Sequence, residues 1–201
     1  MIYLPEHQIS FIAVPKCASQ SIAAFLPNAE HHKIWSVHTK RPCRHFTANE
    51  AIAENFCPAS TTFIGVIRHP YERLLSQYFH RINKGHAPPN PNRKEFHHRF
   101  DGGVMRDYRH YQISQSDYLR KSDVWWSFDY LAEHMQSFAG LVNIPYSNFD
   151  HVNSTPGNKR ELIDIFFSPY LKHQVKTVYA KDFELYERTT KRSADLYGIR
   201  S

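Results

Sequence analysis

Cysteine is scarce in this sequence: Cys17, Cys43 and Cys57 are the only three, and no two of them form a CxxC pair. An odd, scattered set excludes a disulfide-built scaffold and reads as reduced thiols in a reducing compartment. No HExxH-type spacing sets two ligands on one helical face. The doublets His31-His32 and His97-His98 lie in polar, loop-like sequence, so no metal site is expected. No run approaches the ~18 apolar residues of a membrane helix. The opening MIYLPEHQ lacks a basic segment followed by an apolar stretch, so no signal peptide is expected and a cytoplasmic protein is the default. Internal repeats are absent too. Glycine is missing from the one turn, in FIAVPKCASQSI (11–22), where a phosphate-binding loop would ordinarily use it.

What remains is the composition of one soluble domain. The 201 residues are 41% hydrophobic and 22% charged, enough to bury a proper core. A net charge of +6 favours an anionic partner: nucleic acid, an acidic polymer or a phosphate-bearing cofactor. The lysines and arginines are scattered, so a plain solvated basic surface stays open as the reading for most of them.

Short apolar runs alternate with helix signals. ISFIAV (9–14) ends at Pro15 and suits a buried parallel strand, and SQSIAAFL carries helix formers up to Pro27. KIWSV (33–37) fits a second strand. TANEAIAENF (47–56) reads as a helix capped by Thr47, with Glu50 as its capping-box partner. TTFIGVI (61–67) is rich in β-branched residues and reads as another buried strand. Pro70 then opens an amphipathic helix. Its apolar face carries Leu74, Leu75, Tyr78, Phe79 and Ile82; its polar face carries Arg73, Ser76, Gln77 and His80.

Residues 85–103 read as a loop, and a polar segment at about 85–115 reads as a substrate-facing insertion in a single domain spanning 1–201. Helices are expected at about 128–140 and 159–167, and another after Ser168 as N-cap and Pro169. The alternation predicts an α/β fold around a central, mainly parallel sheet flanked by helices.

Two stretches carry chemistry. In the first, a strand delivers PKCASQS to a helix start, where backbone N–H groups, Lys16 and the hydroxyls of Ser19 and Ser21 would face an anion; Ala18 is small enough for close approach. The lysine precedes the turn instead of closing it, so this is no Walker A loop. An ordinary β–α turn with a surface lysine is the competing reading. Cys17 reads as a small loop residue rather than a nucleophile, since position 23, where a cysteine phosphatase would want arginine, is Ala23. In the second stretch, VIRHPYERLLSQY (66–78), Arg68 at a strand end and Ser76 on the next helix would converge on a second phosphate; a salt bridge at the sheet edge is the alternative for Arg68.

These two stretches in this order resemble the PAPS-dependent sulfotransferases, where PAPS is 3′-phosphoadenosine 5′-phosphosulfate. Within them the likeness is to the carbohydrate branch, Golgi-type and bacterial. That family pairs a proline–lysine 5′-phosphosulfate loop with a 3′-phosphate motif, R-[DNH]-P-[YF]-x-R-L-x-S-x-[YF]. Arg68 to Tyr78 fit the second motif at every specified position. VYAKDFELYE (178–187) resembles the family's closing helix, and HVN (151–153) a His-x-Asn element upstream of it. The chain departs from the pattern at Cys17 and Ala18, where Thr and Gly are commoner, and at His69, where Asp or Asn is usual.

The resemblance implies a P-loop-like three-layer fold. It assigns Lys16, Cys17, Ala18, Ser19, Gln20 and Ser21 to the 5′-phosphosulfate, and Arg68 and Ser76 to the 3′-phosphate. It also implies sulfuryl transfer from PAPS to a hydroxyl, without a metal, on a glycan or glycolipid acceptor and with no nucleic acid partner. Lys16 and His38 are the expected catalytic residues, His38 as general base, with His69 and Glu133 as alternatives. Trp35, Trp125 and Trp126 are candidates to line a sugar site or to pack in the core. Two other classes compete: a P-loop-type nucleotide kinase, disfavoured by the missing Walker A lysine position and magnesium-binding aspartate, and a polyanion-binding module, disfavoured by scattered charge.

Overall fold

The computed structural model describes residues 1–26, 28–31, 33–36, 41–106, 113–146, 149 and 159–199. In chain order the strands are β1 (Ile2–Leu4), β2 (Ile9–Ile12), β3 (Ile34–Ser36), β4 (Arg41–Cys43), β5 (Thr62–Ile67), β6 (Phe100–Asp101), β7 (Val104–Met105) and β8 (Val124–Ser127). The helices are α1 (Ser19–Phe25), α2 (Ala48–Ala53), α3 (Pro70–Asn83), α4 (Arg93–His98), α5 (Gln115–Tyr118), α6 (Leu131–Leu141), α7 (Lys159–Phe166), α8 (Pro169–Val178) and α9 (Ala180–Tyr197).

The central sheet has the order β1-β2-β5-β8. β2, β5 and β8 run parallel, with Phe11 opposite Ile64 and Val66 opposite Trp126; β1 is antiparallel at the edge. The apolar runs seen in the sequence form β2 and β5 because such strands are covered by helices and need no polar alternation. α9 packs on β8 and β5, and α6 packs on β8. The α/β fold with a mainly parallel sheet is therefore observed. Phe11 anchors the main core, packing edge-on against Trp126 and Phe138 with ring centroids 5.3 and 5.2 Å away. Each such fully buried aromatic contributes about 1.5–3 kcal/mol relative to exposure.

Local signals mark the helix starts. Thr47 and Glu50 form the capping box at α2, and Ser168 accepts from Leu171 N at the start of α8. KIWSV does hold a strand, but β3 pairs antiparallel with β4 outside the central sheet.

One expectation changes. The segment 85–103 is not all loop, because Asn92 caps α4 and a small β6–β7 hairpin follows. Phe96, Phe100 and Met105 hold this segment on a second core with Leu74, Phe166 and Phe167. On the polar face of α3, Arg73, Ser76 and Gln77 are buried with the apolar residues. Arg73 can be buried because it finds carbonyl and carboxylate partners inside the protein, the condition on which a charge leaves water.

Candidate functional site

Parallel strands place their carboxyl ends at one edge of the sheet, where α/β folds form their crevices. Here Pro15–Ala18 follows β2, Arg68–His69 follows β5, and Phe128–Tyr130 follows β8.

The first of these segments makes two left-handed turns without glycine: Lys16 has φ 67° and Ala18 φ 62°. For an L-residue this conformation costs about 1–2 kcal/mol, so surrounding structure must hold it. Arg73 Nε donates to the Pro15 carbonyl and Arg68 Nη1 to the Lys16 carbonyl, each at 3.2 Å. The Cys17 thiol donates to Gln115 Oε1 at 3.1 Å. Ala18 caps α1 without a side-chain hydrogen bond. Ser19 is half-buried, Gln20 exposed and Ser21 buried.

Lys16 is half-buried, and its ammonium is lowered to about 8, first by burial and then by the neighbouring Arg68 charge. Such a cation gains from an anion that would compensate both effects. Burial pushes the Cys17 thiol up to about 11 against the opposing pull of Arg73 and Arg68. It is therefore a protonated hydrogen-bond donor at neutral pH, not a thiolate nucleophile.

Arg68 is buried, with Nε 3.4 Å from Glu72 Oε2 and its Cζ 4.3 Å above the Phe128 ring. The structure thus brings Lys16 and Arg68 together. Ser76 is also buried, on the α3 face that carries Arg73 and Gln77. His38 lies outside the described residues, as does the HVN element at 151–153. His69 stands at the N-cap of α3 among Tyr71, Phe183 and Tyr186, its Nδ1 buried without a hydrogen-bond partner and its basicity lowered by burial. Glu133 sits half-buried in the first turn of α6.

Trp126 belongs to the core, stacked on His134. Trp125 is half-buried beneath the Arg188 guanidinium, and nothing is described for the Trp35 side chain. An open groove of about 760 Å³ is lined by Pro88, Asn92, Lys94, His98 and Arg106 among others, all from the segment 85–106, and no residue of 16–21 borders it.

Sequence reasoning missed two buried residues of the network around the loop, Gln115 and Asp182. Gln115 pairs with the backbone of Arg68 through both ends of its amide, accepting from N at 3.0 Å and donating to O at 2.8 Å. Asp182 accepts from Gln115 N and Ser116 N, both at 2.8 Å, and lies 4.0 Å from Arg73 Nη1. The Ser114-x-x-Asp117 spacing, in which Ser114 caps α5, marks where Gln115 begins a helix; it carries no sign of the loop beyond.

Among the described residues no group of three His, Cys, Asp or Glu side chains is placed to hold a metal ion, and no helix is long and apolar enough to cross a membrane. The family model described as "Sulfotransferase family" matches residues 1–187. No curated protein and no solved structure matches the chain.

Proposed function

This chain belongs to the sulfotransferase family, and on that premise we propose that it moves a sulfuryl group from PAPS to a hydroxyl of a carbohydrate acceptor, a glycan or glycolipid. The observation that carries the proposal is the meeting of Lys16 and Arg68, two cations from successive parallel strand ends, across one backbone hydrogen bond of 3.2 Å. A donor with two separate phosphates asks for two anion sites held in fixed relation. The donor set fits it: an ammonium, a guanidinium, a hydroxyl from Ser76, and a left-handed loop that leads into the start of α1.

PAPS supplies the sulfuryl group on its 5′-phosphate and carries a distinct 3′-phosphate as a handle. Lys16 and the backbone of Cys17, Ala18, Ser19, Gln20 and Ser21, with the hydroxyls of Ser19 and Ser21, hold the 5′ end. Arg68 and Ser76 hold the 3′-phosphate. Sulfuryl transfer resembles phosphoryl transfer in its loose, in-line transition state, so these residues act by positioning and by neutralising charge. Lys16 meets the charge that grows on the leaving phosphate. His38 takes the proton of the acceptor hydroxyl as general base. The reduced, buried thiols Cys17, Cys43 and Cys57 agree with a cytoplasmic setting.

Calorimetric titration with PAP and with ATP tests this reading in the wild type, Lys16→Ala and Arg68→Ala. PAP should bind in preference to ATP, and each substitution should weaken it by about ten- to a hundredfold, the worth of one charge-assisted hydrogen bond. Preference for ATP with a magnesium requirement would overturn it in favour of a nucleotide kinase.

A further inference from the structure

We infer that Gln115, oriented by Asp182, is a positioning residue that imposes the anion-binding shape on the glycine-free loop at residues 15–18. Calling that loop the donor site rests on the function proposed above; the claim that Gln115 shapes it does not. The observations form a closed ring. From the loop, the Pro15 carbonyl accepts from Arg73 Nε; Arg73 Nη1 faces Asp182; Asp182 accepts from the Gln115 backbone; and the Gln115 amide accepts from the Cys17 thiol, back in the loop. Every link is buried: Gln115 and Asp182 are 0% exposed, Arg73 1% and Cys17 2%.

The Gln115 side chain behaves as a strand neighbour for Arg68, engaging its N–H and its carbonyl together, while its Oε1 also takes the Cys17 thiol. One amide therefore fixes the residue after β5 and the residue between the two left-handed positions, Lys16 and Ala18. A loop with glycine at those positions would adopt the turns without help. This loop has none, and the ring supplies the constraint from outside.

The arrangement separates positioning from mere support of the core. Gln115→Met keeps the volume and removes all three side-chain hydrogen bonds, two to the Arg68 backbone and one to the Cys17 thiol. In hydrogen–deuterium exchange of the ligand-free protein, the amides of residues 16–19 should exchange tenfold or more faster in Gln115→Met, while those of β2 and β5 hold their rates. PAP affinity should fall about tenfold by calorimetry, and adding Ala18→Gly, which relaxes one left-handed position, should restore most of it. Cys17→Val severs one arm of the same ring and should show the same pattern, weaker, even if Gln115→Met does not fold. Equal acceleration in all segments, or no change at residues 16–19, overturns the inference. So does an affinity loss that Ala18→Gly leaves untouched. If the wild type fails to bind PAP while loop exchange responds as expected, the donor assignment falls and the role of Gln115 stands.

Discussion

Arg68 reaches across from the end of β5 to donate a hydrogen bond to the backbone carbonyl of Lys16, 3.2 Å away at the end of β2. The two stretches proposed to bind the donor's phosphates are thereby one mechanical unit, and anything that reorients the Arg68 guanidinium also pulls on the loop. Glu72 is the competitor for that guanidinium, at 3.4 Å from Nε and one helical turn along. Glu72→Gln should therefore tighten PAP binding by about two- to fivefold, with the gain shrinking as salt is added. Calorimetry at two ionic strengths checks this. Weaker binding would mean that Glu72 orients Arg68 toward its ligand instead of competing for it.

The role proposed for Lys16 gives donor binding a pH dependence. Burial lowers its ammonium to about 8, so the free protein carries the charge below that pH and loses it above. A bound anion favours the charged form and raises the group again. PAP affinity should therefore fall as pH rises through about 8. Lys16→Arg should abolish the fall, because guanidinium does not titrate in this range. The ligand-free protein should show the linked stability effect with opposite sense: the unfolded chain holds the Lys16 proton longer, so this group favours folding more as pH rises from about 8 toward 10.5.

Ala18 holds φ 62° without glycine's freedom. Ala18→Gly removes a left-handed cost of about 1–2 kcal/mol and adds about 0.5–1 kcal/mol of unfolded-state entropy. A net stabilisation of about 0.5–1 kcal/mol is expected, read as a shift in urea midpoint at constant slope. A destabilised variant would show that the surrounding ring has already relaxed this position.

His38→Ala should leave PAP binding within about twofold of wild type and lower turnover by about a hundredfold or more, as removal of a general base does. A coupled PAP-release assay beside calorimetry separates the two. Unchanged turnover would pass the role to another group, with His69 next in line.

The parts legible in the sequence are those written locally. The β-branched run at 61–67, the Thr47–Glu50 box and Ser168–Pro169 each contain their own start or stop signal, and each element formed where those signals stand. β8 was not read because its four residues, Val124–Ser127, pair two bulky tryptophans with no alternation to follow. α4 was hidden by the prolines and asparagines before it, although Asn92 with Glu95 is a capping pattern. Lys16 and Arg68 were visible as types in a motif. The ring around them was not, because Cys17 and Gln115 are 98 residues apart and only the fold brings them together. Periodicity placed Arg73 and Gln77 on a polar face, but it cannot tell a polar face turned to water from one turned to buried partners.

The function proposed for this chain is transfer of the sulfuryl group from PAPS with the help of Lys16 and Arg68. The most direct measurement incubates the protein with PAPS carrying radioactive sulfur and a panel of glycans and glycolipids, and follows the label by chromatography. Label should move to at least one acceptor with stoichiometric release of PAP, and Lys16→Ala and Arg68→Ala, folded by circular dichroism, should lose that transfer by about a hundredfold or more. Label that stays on PAPS across the panel while the protein turns over ATP, or transfer that survives both substitutions, would contradict it.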